Sequence, residues 1–184
     1  MQRDLVERAR DGDREAFSAA AAASIGRLYG IATLILRDRE LAQDAVQEAL
    51  VASWRGVRAL RDPEAWDAWL QRSVVRACYR QAQQDRLRVQ AAARISVLRE
   101  PSAREPSVDL AARDQIERGF RDLPIEQRAV VALHFYGGQP IDEVARILGV
   151  PAGTAKSRLH RGLEAMRASF AASERLSTER EQLA

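Results

Sequence analysis

The chain of 184 residues is poor in the side chains that build most metal and redox sites. It has one cysteine, Cys78, and two histidines, His134 and His160. A single cysteine excludes an intramolecular disulfide, and these three residues show no recognisable zinc-ligand spacing. No glycine-rich phosphate loop or nucleophile motif is found either. The sequence therefore predicts a protein that is not an enzyme and holds neither a metal nor a cofactor.

Lysine is almost absent, since Lys156 is the only one among 29 basic residues. The formal net charge is only +3, so charge by itself is a weak indication of a polyanionic partner. The guanidinium group of arginine can donate two hydrogen bonds at once to a phosphate or to the edge of a guanine base. A GC-rich genome, however, explains the arginine content more simply. What matters is where the arginines lie along the chain.

Long apolar runs are also missing. The first residues contain no apolar core of a signal peptide, and the longest apolar runs, such as residues 31–36, are much shorter than a membrane span. We therefore expect a cytoplasmic protein.

What the sequence does contain is helical periodicity, with no β-rich run of useful length. It predicts helices over residues 2–10, 14–37, 40–54 and 63–88, and again, with breaks, from 110 to 170. Prolines and serines among mixed charges over residues 94–109 are typical of a linker. The prediction is an all-α fold of two small helical domains joined by a flexible linker: residues 1–90, linker 91–110, residues 111–170, and a polar tail, 171–184, that frays.

The sharpest local pattern lies between residues 141 and 166. Ile141, Val144, Ala145 and Leu148 give a short helix one apolar face, and Gly149 is suited to a left-handed C-terminal position. A second helix begins near residue 152 and exposes a polar and basic stripe, as expected of a helix-turn-helix that places its second helix in the major groove of DNA. An ordinary helical hairpin with a basic face is the alternative. The stripe and its flanking residues are Thr154, Lys156, Ser157, Arg158, His160 and Arg161.

These residues resemble a known family. Leu123-Pro124-x-x-Gln127-Arg128, the helix-turn-helix and the run from Gly153 to Arg161 resemble region 4 of extracytoplasmic-function sigma factors. Asp44-x-Val46-Gln47-Glu48-Ala49-Leu50-x-x-x-Trp54 and Asp62-Pro63-Glu64-Ala65-Trp66 resemble region 2 of the same family. The chain departs from the common pattern at Gln43, Arg76 and Pro140, and Arg76 bears on the −10 sequence preference.

The resemblance implies a subunit that directs core RNA polymerase to promoter DNA, commonly under the control of an anti-sigma factor. Region 4 would read the −35 element with the stripe above and dock on the β flap, and Asp44, Gln47 and Glu48 would bind the β′ clamp. The loop over residues 55–63 would open and read the −10 element, with an arginine track on the following helix along the DNA backbone. The −10 residues are Arg58, Leu60, Arg61, Arg72, Arg76 and Arg80.

Two other readings stay open at this point. A helix-turn-helix repressor or activator would use its N-terminal domain to dimerise or to bind an effector. An enzyme acting on nucleic acid could hold Mg²⁺ with acidic residues such as Asp44 and Glu48.

Three tryptophans, Trp54, Trp66 and Trp69, could stack on single-stranded bases. Their apolar neighbours favour a place in the core instead, most clearly for Trp69. Cys78, between Ala77 and Tyr79, is also expected to pack inside.

Overall fold

A computed structural model describes the backbone of residues 1–95 and 119–182, and the side chains of residues 1–91 and 119–172. Four helices form the N-terminal module: α1 (Gln2–Arg10), α2 (Arg14–Leu36), α3 (Arg39–Gly56) and α4 (Trp66–Ile95). Two 3₁₀ turns, Val57–Ala59 and Pro63–Ala65, connect α3 to α4.

Aspartates fix where these elements begin. The Asp13 carboxylate accepts from Ala16 N at 3.0 Å, and that of Asp38 accepts from Leu41 N at 3.0 Å. Asp62, directly before Pro63, accepts from Glu64 N at 3.0 Å. Each side chain satisfies a backbone donor that the first turn leaves without a partner. The predicted helical start at residue 63 is therefore correct, although Asp62 and Pro63 open a 3₁₀ turn three residues ahead of α4.

Helix α2 is the centre of the N-terminal module. It packs against α1, α3 and α4, and Leu28, Ile31 and Ile35 are fully buried. By length and composition alone this helix could cross a bilayer, although its sequence has no long uninterrupted apolar run. Because neighbouring helices bury one face of α2, including Leu28, Ile31 and Ile35, its role in this fold is that of a core helix.

An aromatic cluster closes one end of this core. The ring of Phe17 lies 5.2 Å from that of Trp54 and 5.5 Å from that of Trp66, both edge-on, and Trp66 lies 5.7 Å from Trp69. Trp66 is only 2% exposed, whereas Trp69 is partly buried. The core reading of the tryptophans is correct, but Trp66 is the more deeply buried of the last two, because it begins α4 directly over Phe17.

The C-terminal module begins, in the part that the structure describes, with a helical turn at residues 119–121. It continues with α5 (Ile125–Val131), which ends in a π-helical turn, Ala132–Tyr136. Helices α6 (Ile141–Leu148) and α7 (Ala152–Gln182) follow. A Cβ on Gly162 would lie 3.0 Å from Val131 Cγ2, so the absence of a side chain there lets α7 approach α5 closely.

The all-helical prediction is confirmed: no strand occurs within residues 1–95 and 119–182. Helix α4 runs seven residues past its predicted end and takes in the first residues of the predicted linker, whose remainder lies outside the described residues. Helix α7 also continues to Gln182, through the segment predicted to fray. Beyond residue 162 this segment has no proline or glycine and is rich in alanine, arginine and glutamate, which are strong helix formers.

The left-handed Gly149 gives a first stability prediction. It ends α6 with φ 68° and ψ 36°, and no atom lies within 4 Å of a Cβ built there. Gly149→Ala should therefore lower the free energy of unfolding by about 1–2 kcal/mol, from backbone strain alone. Gly26, inside α2 and equally open, is the matched control, because Gly26→Ala should raise it by about 0.5–1 kcal/mol. Urea titration followed by circular dichroism measures both, and changes of the same sign would contradict the prediction.

Cys78 gives a second prediction. Its thiol is buried, and this burial raises its pKa to about 12. At pH 8 only about one thiol in ten thousand is ionised, so maleimide should label Cys78 only after urea unfolding. The raised pKa stabilises the fold below pH 9, and this contribution is lost as the pH rises from 9 towards about 12. Rapid labelling of the native protein at pH 8 would refute the assignment, and Cys78→Ala should remove the thiol-dependent part of the alkaline loss.

Candidate nucleic-acid interface

Helices α6 and α7 form the predicted helix-turn-helix. Val144, Ala145 and Ile147 bury one face of α6, and the left-handed Gly149 turns the chain before Pro151. Ala155 is fully buried on α7, and Leu159 and Met166 pack partly against the same core. This packing fixes which face of α7 is left to solvent.

The exposed face of α7 carries the predicted DNA-binding stripe. Lys156, Ser157, His160 and Arg161 are exposed, whereas Thr154 and Arg158 are half-buried. Their polar contacts are local: Ser157 Oγ donates to Gly153 O at 2.7 Å, Lys156 Nζ lies 3.8 Å from Asp142 Oδ1, and His160 Nε2 lies 3.3 Å from Glu164 Oε1. An exposed ion pair such as that of Lys156 with Asp142 is weak, so the Lys156 ammonium can exchange its partner for a phosphate.

A second surface lies on α3 of the N-terminal module. Asp44 and Gln47 are exposed and Glu48 is half-buried, and the three line one shallow depression together with Val51, Ala52 and Arg55. Val51 is 45% exposed and adds apolar surface to the depression. Exposed apolar surface among polar and charged side chains is the composition expected of a protein-binding surface. We call these six residues the α3 patch.

The connection between α3 and α4 holds the predicted −10 loop. Arg58 and Arg61 are exposed, and the Arg58 guanidinium approaches the turn between α1 and α2, where a Cβ on Gly12 would lie 3.3 Å from Nη2. Leu60 points the other way and is 6% exposed. The loop therefore presents its two cations to solvent and anchors itself through the leucine.

The three arginines of the predicted −10 track, all on α4, have different surroundings. Arg72 Nη2 donates to Arg146 O of α6 at 2.7 Å, and Arg80 Nε donates to Glu48 Oε1 at 2.8 Å. Arg76, between them, is exposed. The predicted arginine track therefore adjoins the α3 patch at one end and the C-terminal module at the other.

Comparison with known proteins identifies the two modules. Residues 22–88 match the family model of Sigma-70 region 2, and residues 113–166 match that of Sigma-70, region 4. The chain is 38% identical over 153 residues to the ECF RNA polymerase sigma factor SigM of Mycobacterium tuberculosis, covering 82% of this chain and 74% of that one. The chain belongs to the extracytoplasmic-function sigma factors. It is a subunit that directs RNA polymerase to specific promoters, as the sequence predicted, and sigma factors as a class are initiation factors without catalytic activity.

More distant relatives and solved structures agree with this placement. The chain is 22% identical to the ECF sigma factor SigW of Bacillus subtilis over 182 residues, 91% of this chain and 95% of that one. Its fold is similar to CnrH in complex with the cytosolic domain of CnrY, with a TM-score of 0.68, 23% identity and coverage of 93% and 97%. The sigma factor RpoE of Bartonella quintana, in complex with the anti-sigma factor NepR, has a TM-score of 0.70, 23% identity and coverage of 84% and 96%. At this identity the two structures establish the fold.

Two sets of residues of this ECF sigma factor were not singled out from its sequence. Val51, Ala52 and Arg55 complete the α3 patch, and their helical spacing from Asp44 and Glu48 could have revealed them. Tyr136, in contrast, contacts Gly30 of α2, a residue far from it in the sequence. No local pattern in the sequence predicts that contact.

Proposed function

We propose that residues 111–170 read the −35 element through α7, while residues 1–90 bind polymerase and open the −10 element. The supporting observation is the exposed stripe of Lys156, Ser157, His160 and Arg161 on a helix whose opposite face is held by the core. Small polar residues at the start of this helix let base edges approach, and the arginines reach guanines and phosphates. The same module would also dock on the β flap.

We propose the α3 patch as the contact with the β′ clamp. Asp44, Gln47 and Glu48 line the same depression as the exposed Val51, so a basic partner helix would find both carboxylates and an apolar contact there. Complementary charge of this kind raises the association rate and sets the orientation of the partners more than it raises the affinity. Glu48 also accepts from Arg80 at 2.8 Å, which orients its carboxylate.

The −10 element is assigned to Arg58, Arg61, Arg72, Arg76 and Arg80. Extruding a base from the duplex costs a few kcal/mol, which cations along the displaced strand offset through phosphate contacts. Arg58, Arg61 and Arg76 are exposed, so their guanidinium groups are accessible to phosphates of the displaced strand. Leu60 is buried, so it would form one wall of a base pocket only after the loop moves.

We further propose that the chain acts in the cytoplasm and carries out no catalysis of its own. An anti-sigma factor is the expected negative regulator, since CnrH and RpoE were both solved with proteins bound, in the latter an anti-sigma factor.

Run-off transcription with bacterial core polymerase and a pool of genomic promoters tests the proposed function. New start sites should appear only when the chain is added, each with a common −35 and −10 sequence at fixed spacing. A gel shift with the chain alone separates this from a repressor. Tight polymerase-independent binding to a two-fold site, with no new start sites, would refute the sigma-factor mechanism.

A further inference from the structure

Two carboxylates lie in the first turn of α6, and they pair with different partners. Glu143 Oε2 forms an ion pair with Arg146 Nη1 of the same helix, and the Glu143 side chain is only 18% exposed. Asp142 Oδ1 lies 3.8 Å from Lys156 Nζ of α7, and both of these side chains are well exposed, by 70% and 62%. The pair of Asp142 with Lys156 therefore joins the two helices of the helix-turn-helix on the side that faces solvent.

The stability of the module does not account for this ion pair. Pairs between exposed side chains add little or nothing measurable to stability. The two helices are already held together by buried residues, among them Val144, Ala145 and Ala155. A carboxylate is favourable in the first turn of a helix, but Glu143 supplies the same charge there. The surface that Asp142 shares with Lys156 is a better explanation for its position.

That surface is the one that faces DNA in the proposed function, where Lys156 belongs to the −35 stripe. A lysine that binds a phosphate releases about 0.9 of a counterion from the duplex, and this release is a major source of DNA affinity. Lys156 and Asp142 together carry no net charge, so the pair yields this release only if the carboxylate moves away. The Asp142 carboxylate would also lie near the phosphates, and like charges repel across an interface.

The second ion pair of the stripe is of a different kind. His160 Nε2 lies 3.3 Å from Glu164 Oε1, and both residues belong to α7. A neutral imidazole has no charge to offset, so Glu164 acts as a counterion only while His160 is protonated. Asp142, in contrast, offsets the charge of a lysine and reaches it from the neighbouring helix.

We infer that Asp142 is a built-in counterion that tunes the DNA affinity of the −35 surface by competing with phosphates for Lys156. This inference rests on the proposed function, in which Lys156 contacts DNA. Binding to a phosphate then displaces a carboxylate of the protein itself, so affinity is lower and less sensitive to salt than the cations of the stripe alone would make it. Binding to DNA without a −35 element is reduced in particular, because it depends almost entirely on charge.

Asp142→Asn tests the inference, because it removes the charge and nearly preserves the size of the side chain. The variant is assembled with core polymerase, and its affinity for a promoter fragment found by run-off transcription is measured by fluorescence anisotropy over a salt series. We expect several-fold tighter binding at 50 mM salt. The plot of log affinity against log salt should be steeper by about 0.9, which makes the gain about threefold larger at 50 mM than at 200 mM. Unchanged affinity and slope would overturn the inference.

Glu143→Gln is the matched control. It removes the same charge from the same turn of α6, but its carboxylate pairs with Arg146 and not with Lys156, so the slope should stay as in the unaltered chain. An equal increase in slope for both variants would show an effect of net charge and would count against Asp142. A purely structural role would move affinity the other way, because loss of a carboxylate from the first turn weakens α6 and can only weaken DNA binding.

Lys156→Ala separates this inference from the proposed function. It should weaken binding to the promoter fragment, and Asp142→Asn should change affinity by a smaller factor in this background, since no ammonium remains to be released. An equal factor in both backgrounds would overturn the competition for Lys156. If Lys156→Ala binds as the unaltered chain does, Lys156 is not in the DNA interface, and that part of the proposed function fails together with the inference. A weakened Lys156→Ala beside an Asp142→Asn variant without any gain would refute the inference alone.

Discussion

Arg158→Ala is expected to reduce transcription from a −35-dependent promoter by about 5- to 150-fold, while leaving the affinity for core polymerase unchanged. The reason is geometric. Arg158 lies two residues past Lys156 on α7, at the border of the exposed stripe, and a guanidinium there can bind a base edge with two hydrogen bonds. Losing one such contact costs about 1–3 kcal/mol. Run-off transcription and a separate polymerase-binding titration measure the two quantities.

Arg167→Ala is the matched control. Arg167 is exposed on the same helix, but it lies beyond the stripe, so this variant removes the same charge without a base contact. It should weaken DNA binding uniformly across sequences and lower its salt dependence. If Arg158→Ala transcribes as well as Arg167→Ala from the −35-dependent promoter, the assigned orientation of α7 is wrong.

Asp44→Arg is expected to weaken binding of core polymerase by about tenfold or more, equivalent to about 1.4 kcal/mol. The substitution places a cation at the border of the α3 patch, where the proposed partner is basic, and like charges across an interface cost several kcal/mol. The change should be largest at low salt, because the affected charge is exposed. Fluorescence anisotropy with a labelled chain and core enzyme gives the dissociation constant directly.

Asp11→Arg controls for the change in net charge. Asp11 is exposed in the turn between α1 and α2 of the same module, and a cation at the end of a helix is tolerated or favourable. Its affinity for polymerase should stay within about twofold of the unaltered chain, as is usual for surface substitutions. An Asp44→Arg variant that binds as Asp11→Arg does would remove the α3 patch from the interface.

The pair between Arg80 and Glu48 links the two proposed surfaces. Arg80 was assigned to DNA and Glu48 to polymerase from the resemblance, yet they bond to each other at 2.8 Å. Both groups are partly exposed, so the pair is weak and can be exchanged. Binding of polymerase to Glu48 would then free Arg80 to bind a DNA phosphate. Polymerase binding and DNA binding would be coupled through the Glu48 carboxylate.

The local sequence was sufficient to predict the helices and the turn between α6 and α7. The apolar spacing of Ile141, Val144, Ala145 and Leu148 marked α6, and Gly149 marked its end, because each depends on residues within two turns of one another. The same holds for the predicted helix start at Pro63, which Asp62 caps. The predicted helix ends were less accurate where no helix-breaking residue ends the helix, as beyond residue 88 and beyond residue 170.

By itself, then, the sequence determined the helical class, the helix-turn-helix, the family and the polar faces of α3 and α7. Only tertiary structure decided that Trp66 and Leu60 are buried, that Arg72 and Arg80 have different partners while Arg76 is exposed, and that Tyr136 covers Gly30. Periodicity places a residue on one face of its own helix, but another part of the chain determines what covers that face. Burial and the partners of long arginine side chains therefore depend on contacts between residues far apart in sequence.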